Sequence, residues 1–226
     1  MGLFIFNSSI GRKLVMSITG IALVLFLTFH SIMNIFVIID PKIYDAICEF
    51  LGANWYAIVG TVGLALLVVI HICYAFWLSL QNYLARGRNR YAVSKRAPGV
   101  DWAAQNMLIL GLIIIGFLGL HLYNFWFKMQ FVEVMTMVNG GVYEVVGSEL
   151  VKGLFQSPFY CILYMVWLGA IWFHLTHGVW SAIQTMGGSN HTWLPRIKMI
   201  SNIVATIVAL MFMSIPVYYL ITNLLG

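Results

Sequence analysis

Apolar residues gather in five long runs, at residues 14–39, 55–84, 103–127, 158–188 and 199–224, with polar connections between them. Each run exceeds the roughly 20 residues that carry a helix across a bilayer. Asp40, Pro41, Lys42, Asp45 and Glu49 fill the first connection. The second, ARGRNRYAVSKRAPGVD, holds Arg86, Arg88, Arg90, Lys95 and Arg96. Residues 128–156 mix apolar Phe131, Val132, Val134, Met135 and Met137 with charges and show no strict alternation, which predicts an interfacial helix and a turn at Asn139, Gly140 and Gly141. The fourth run starts near Pro158, a proline suited to a first helical turn, and stops at Gly187 and Gly188. The expected fold is all-α: one integral membrane bundle of five transmembrane helices spanning residues 1–226.

Composition agrees. Hydrophobic residues make up 62% of the chain and charged residues 8%, against the roughly 25% charged of soluble domains. The net charge of +5 does not point to nucleic acid, because the basic residues flank the apolar runs, where membrane topology accounts for them. Cys48, Cys73 and Cys161 show neither CxxC nor CxxCH spacing, so no disulfide framework or covalent haem attachment is indicated. The opening MGLFIFNSSIGRKL lacks a small-residue cleavage pattern, and the first run reads as retained.

Charge sets the expected orientation. Five crossings place nine of the twelve basic residues on one side, leaving Lys42, Lys128 and Lys152 on the other. The N-terminus is therefore expected in the cytoplasm and the C-terminus on the other side. Trp102, Trp126, Trp180 and Trp193, with Tyr83, Tyr91 and Tyr123, read as interfacial anchors.

Histidines inside the apolar runs carry the chemistry. An imidazole within a membrane needs a partner, and iron is one that keeps it neutral. At 1.5 Å per residue, His30 lies roughly 24 Å and His121 roughly 27 Å from the cytoplasmic edge. His71 and His174 lie roughly 24 Å from the opposite edge. Four histidines on four helices thus sort into an outer pair, His30 with His121, and an inner pair, His71 with His174. Two axial imidazoles are what a noncovalent b-type haem takes, so two haem b groups stacked along the membrane normal are expected. No carboxylate or cysteine joins a pair at its depth, which argues against zinc. His177, one turn deeper than His174, is an alternative ligand of the inner haem or a group beside that haem or in a quinone pocket. Depth favours His174.

Gly20, Gly60, Gly63, Gly111, Gly116, Gly119 and Gly178 offer clearance for a rigid porphyrin or for helix contacts. Ser17, with Arg12, Lys13, Arg86, Arg88, Lys95 and Arg96, stands where haem propionates would need partners.

KLVMSITGIALVLFLTFH in the first run, the single His71 and His121, and FHLTHGVWSAIQTMGG closing the fourth resemble the cytochrome b membrane anchor of succinate:quinone oxidoreductases, in the single-polypeptide, five-helix, dihaem form. The resemblance covers essentially the whole chain. It implies His30 and His121 as axial ligands of the outer haem, His71 and His174 of the inner one, and Ser17 as a propionate partner. The motif's glycine four residues after the ligand selects His174 over His177.

The resemblance further implies a quinone-reactive subunit of a succinate dehydrogenase or, in reverse, a fumarate reductase. A partner flavoprotein with FAD would interconvert succinate and fumarate, an iron–sulfur subunit would relay electrons, and this chain would exchange them with menaquinone. A dimer of complexes is compatible with this reading. Some fumarate-reducing relatives carry a glutamate two residues before the fourth-run ligand; here it is Trp172, and no acidic residue lies in the expected runs. Asp40, Asp45 and Glu49 are outer carboxylates for quinone proton exchange, with Glu49 the choice because it follows an apolar pair and precedes the second run. Alternatives are a cytochrome b subunit of a hydrogenase or formate dehydrogenase, or a histidine-containing transport or structural membrane protein.

Overall fold

The structure is a computed structural model that describes residues 8–85, 101–188 and 190–225. The basic stretch with Arg86, Arg88, Arg90, Lys95 and Arg96, together with Tyr91, lies outside the described residues. Among those described there is no strand. Five helices are long and apolar enough to cross a bilayer, making this a multi-pass membrane protein.

The first long helix, α1, covers Ser9–Ile39; the Ser8 side chain caps it by accepting from the Gly11 N–H at 2.9 Å. Asp40 ends α1 and starts α2, Pro41–Phe50, where its carboxylate accepts from the Lys42 N–H at 3.0 Å and proline fills the first turn. Residues expected as a plain polar connection therefore form a helix. The Asp40-Pro41 start alone does not separate a helix from a turn. The second long helix, α3, is Trp55–Ala85.

A short helix α4, Trp102–Gln105, precedes α5, Met107–His121, and the chain then continues without a break through a π-helical stretch, Leu122–Phe131, into α6, Val132–Val138. Residues 128–138 thus extend the third crossing instead of opening a separate interfacial helix. Gln130 explains the continuation. Its side-chain oxygen accepts from Thr61 (2.8 Å) and from the Trp126 indole (2.9 Å), and its amide donates to the Gly52 carbonyl (3.0 Å), so a polar residue is satisfied inside the helix. The extension also carries Glu133 into the third crossing, and Gly52 provides the room against which that carboxylate packs.

The turn after Val138 falls where expected. Gly140 adopts φ of 71°, and the N–H groups of Gly140 and Gly141 donate to the carbonyls of Met137 and Thr136. The short helix of this connection is α7, Gly147–Phe155. Its N-terminus is held by Asp45 of α2, whose carboxylate accepts from the Ser148 N–H at 2.7 Å and from the Ser148 hydroxyl at 2.8 Å. The fourth crossing, α8, is Pro158–Thr185 and ends at Gly187 with φ of 89°, where Gly187 and Gly188 donate to Gln184 and Ile183. The fifth, α9, is Trp193–Leu225, with Pro216 buried inside it.

The core lies between α8 and α9. Cys161, Tyr164, Trp167, Leu168, Ile171, Leu175 and Val179 of α8 are buried with Ala205, Val208 and Ile215 of α9. Helix α1 packs on α3, α8 and α9, and α5 packs on α8. Helix α3 stands apart: it leans on α1, barely meets α5 and contains no buried residue. Directly packed helices bury a stripe of each surface, so α3 leaves its flank toward α5 open.

Candidate functional site: two histidine pairs in the bundle

The histidines meet as their depths predict. His30 of α1 faces His121, the last residue of α5, with ring centres 6.0 Å apart and planes at 90°. His71 of α3 faces His174 of α8 at 6.5 Å and 68°. His177 does not share this arrangement and instead packs edge-on against Trp180 at 4.8 Å. An ion bound about 2 Å from each of two imidazole nitrogens sets the ring centres roughly 6 Å apart. Both pairs have that separation.

Their hydrogen bonds separate the rings further. Nδ1 of His121, His174 and His177 is buried and has no hydrogen-bond partner among the described residues. Buried polar atoms are almost always paired, so each such atom marks a group that something else must satisfy. His71 is anchored through Nδ1, 3.2 Å from the Thr19 hydroxyl of α1. His30 is held by Asn34 one turn on, whose amide nitrogen donates to the His30 carbonyl at 2.7 Å and lies 3.1 Å from Nδ1. Asn34 carries no sequence signal of its own, and the quoted first-run stretch that contains Thr19 ends at His30 and gives no pointer to His71.

Aromatic rings cage the outer pair. Phe125, Tyr164 and Trp167 surround His121, at 5.2, 6.3 and 5.4 Å. Phe26 stacks on His30 at 5.2 Å, and Phe212 approaches it at 5.6 Å. Asn124, buried in the π-helical stretch, donates to the Tyr164 hydroxyl at 3.2 Å. The π-helical stretch thus fixes an element of the cage.

The glycines divide. A Cβ on Gly20 would lie 3.4 Å from the His71 ring, so Gly20 lets that imidazole approach α1. At Gly60, Gly63, Gly111, Gly116, Gly119 and Gly178 a Cβ would meet nothing within 4 Å, so no described helix presses on them. Close helix contact inside this chain does not account for those six. Ser17 is buried, but its hydroxyl proton is directed to the Lys13 carbonyl at 2.9 Å, leaving it as an acceptor only. A propionate would require that hydroxyl to turn.

At the end of the bundle nearer the outer pair, an open, almost wholly apolar groove of about 400 Å³ runs along α1 and α2, lined by Phe29, Met33, Ile43, Ala46, Ile47, Phe50 and Leu51, of which Phe29, Ile43 and Phe50 are exposed. Glu49 belongs to this helix but is exposed. Of the other outer carboxylates, Asp40 caps α2 and Asp45 holds α7. Burial there pushes the Cys48 thiol up to about 11 and raises the Tyr44 phenol well above its ordinary value. Trp172, in place of a glutamate, donates to the Thr206 hydroxyl at 3.0 Å. At the opposite end, Arg12 lies over the Trp77 ring at 5.7 Å and Lys198 over Trp180 at 4.3 Å.

The donor set suits haem iron: two imidazoles per site, each pair bridging two helices, with Gly20 making room beside His71. Comparison with protein-family models, with curated proteins and with solved structures finds no match.

Proposed function

We propose that this chain is a dihaem cytochrome b that anchors a respiratory oxidoreductase in the bacterial cytoplasmic membrane and carries electrons between a cytoplasmic iron–sulfur subunit and menaquinone. The observation that carries the reading is the pair of histidine couples, at 6.0 and 6.5 Å, on four different helices at two depths. His30 and His121 would hold the outer haem, and His71 and His174 the inner one. Bound haem supplies one-electron transfer, whereas quinone takes two electrons and two protons.

The chain's own residues do the rest. Four helices fix the ligands, and the Phe26, Phe125 and Trp167 rings keep water from the outer pair. The apolar groove beside α2 suits a lipid-soluble quinone, since Phe29 and Met33 stand on α1 within one turn of His30. Carboxylates at that end, Glu49 and Glu133, are the groups able to exchange quinone protons there. The resemblance supports succinate or fumarate as the substrate of the partner flavoprotein, and basic residues on the cytoplasmic side suit docking of the soluble subunits.

Purification in mild detergent, with haem quantification and a reduced-minus-oxidised spectrum, tests the reading. Two bis-imidazole haems per chain are expected, with loss of one in each of His30→Ala, His71→Ala, His121→Ala and His174→Ala. A chain without haem sinks the reading. Co-purification with hydrogenase subunits and no succinate–quinone activity would move it to another respiratory complex.

A further inference from the structure

The sequence Thr19-Gly20 lies on α1, ten residues before His30, yet its contacts are with His71 on α3. Thr19 is 4% exposed, so water does not compete for its hydroxyl. That hydroxyl has one proton. The carbonyls of Val15, at 2.9 Å, and Met16, at 3.1 Å, one turn back in α1, are both within its reach. A hydroxyl that gives its proton to either carbonyl turns an oxygen lone pair toward His71 Nδ1, 3.2 Å away. Gly20 lets the ring come this close, because a Cβ there would already stand 3.4 Å from His71 Cε1.

We infer that Thr19 is a positioning residue that accepts a hydrogen bond from His71 Nδ1–H, fixing the neutral tautomer whose Nε2 carries the free lone pair. A neutral imidazole has one protonated nitrogen, and the hydrogen bond made by that nitrogen decides which nitrogen binds a metal. His174 has no such anchor, its Nδ1 being buried and unpartnered. The inner pair is thus asymmetric: His71 is set before any ligand arrives, and His174 is not. The motif that accompanies His30 in sequence serves the other couple.

This inference rests on the dihaem reading for its consequence but not for its test. Nitrogen-15 histidine spectra of the full-length, haem-free protein in lipid nanodiscs report which nitrogen of His71 is protonated, with His71→Gln identifying the signal. The wild type is expected to show Nδ1–H with Nε2 unprotonated, Thr19→Ser the same, and Thr19→Val a loss of that single tautomer. In haem-loaded protein, Thr19→Val is expected to weaken the inner haem about 10-fold or more, raise its midpoint potential and leave the outer haem unchanged, with Thr19→Ser restoring both. Nε2–H in the wild type, or an unaltered tautomer in Thr19→Val, overturns the inference. Absence of haem from the wild type would overturn the dihaem reading alone.

Discussion

At the scale of single residues, the structure shows that an imidazole's neighbours matter as much as its partner across the gap. Gly20 stands against His71, and the branched side chain of Gly20→Val would push the ring away from α1 and out of line with His174. On the proposed dihaem reading, inner-haem affinity is expected to fall about tenfold or more, with the outer haem intact, measured as haem per chain and as loss of one spectral component. Cys48 gives a pH prediction. Burial holds its thiol at about 11 against the usual 9, so the folded state disfavours the thiolate. The sign follows: stability from the neutral thiol is complete below pH 9 and is lost as pH rises toward 11. Alkylation of Cys48 in Cys73→Ser/Cys161→Ala protein should be slow at pH 8 and accelerate over that window. Rapid labelling at pH 8 would contradict the burial. The pairing of His30 with His121 and of His71 with His174 was legible because helix rise is constant, so counting residues gives depth. Thr19 and Asn34 were not legible. Their roles depend on helix rotation, and in Thr19's case on a ring 52 positions away.

At the scale of elements, the five crossings could be read from length and apolarity alone, and their glycine-terminated ends from the special φ at Gly140 and Gly187. Two elements could not. Helix α2 hid among charges because its polar residues are consumed by neighbours, Asp40 by its own cap and Asp45 by Ser148. The extension of the third crossing hid because Gln130 is satisfied by Thr61, Trp126 and Gly52, partners that sequence order does not bring together. The Asp45 link is testable. Asp45→Ala removes both acceptors of Ser148, and charge-assisted bonds of this kind contribute about 1.5–3 kcal/mol. Amide exchange at the start of α7 should speed up by roughly 10- to 100-fold, the same energy expressed as a ratio. Crossing helices α8 and α9 should exchange as before. Unchanged α7 exchange would show that the helix is held by its apolar face instead.

At the scale of the whole molecule, the bundle is open on one side. Helix α3, which carries His71, leans on α1 and barely meets α5, which carries His121. The packed half, α8 with α9 and α1, has its core already. On the loosely packed side, a Cβ at Gly60 or Gly63 of α3 would meet no atom within 4 Å. A group that binds the folded state alone stabilises it according to its affinity, and it stabilises most where it supplies the missing contacts. Haem loading is therefore expected to raise the thermal midpoint and to slow amide exchange chiefly in α3 and α5, with little change along the α8–α9 seam. Hydrogen exchange read by mass spectrometry on haem-free and loaded protein in the same nanodiscs makes the comparison. Protection spread evenly over all five crossings would contradict haem binding among the loosely packed helices.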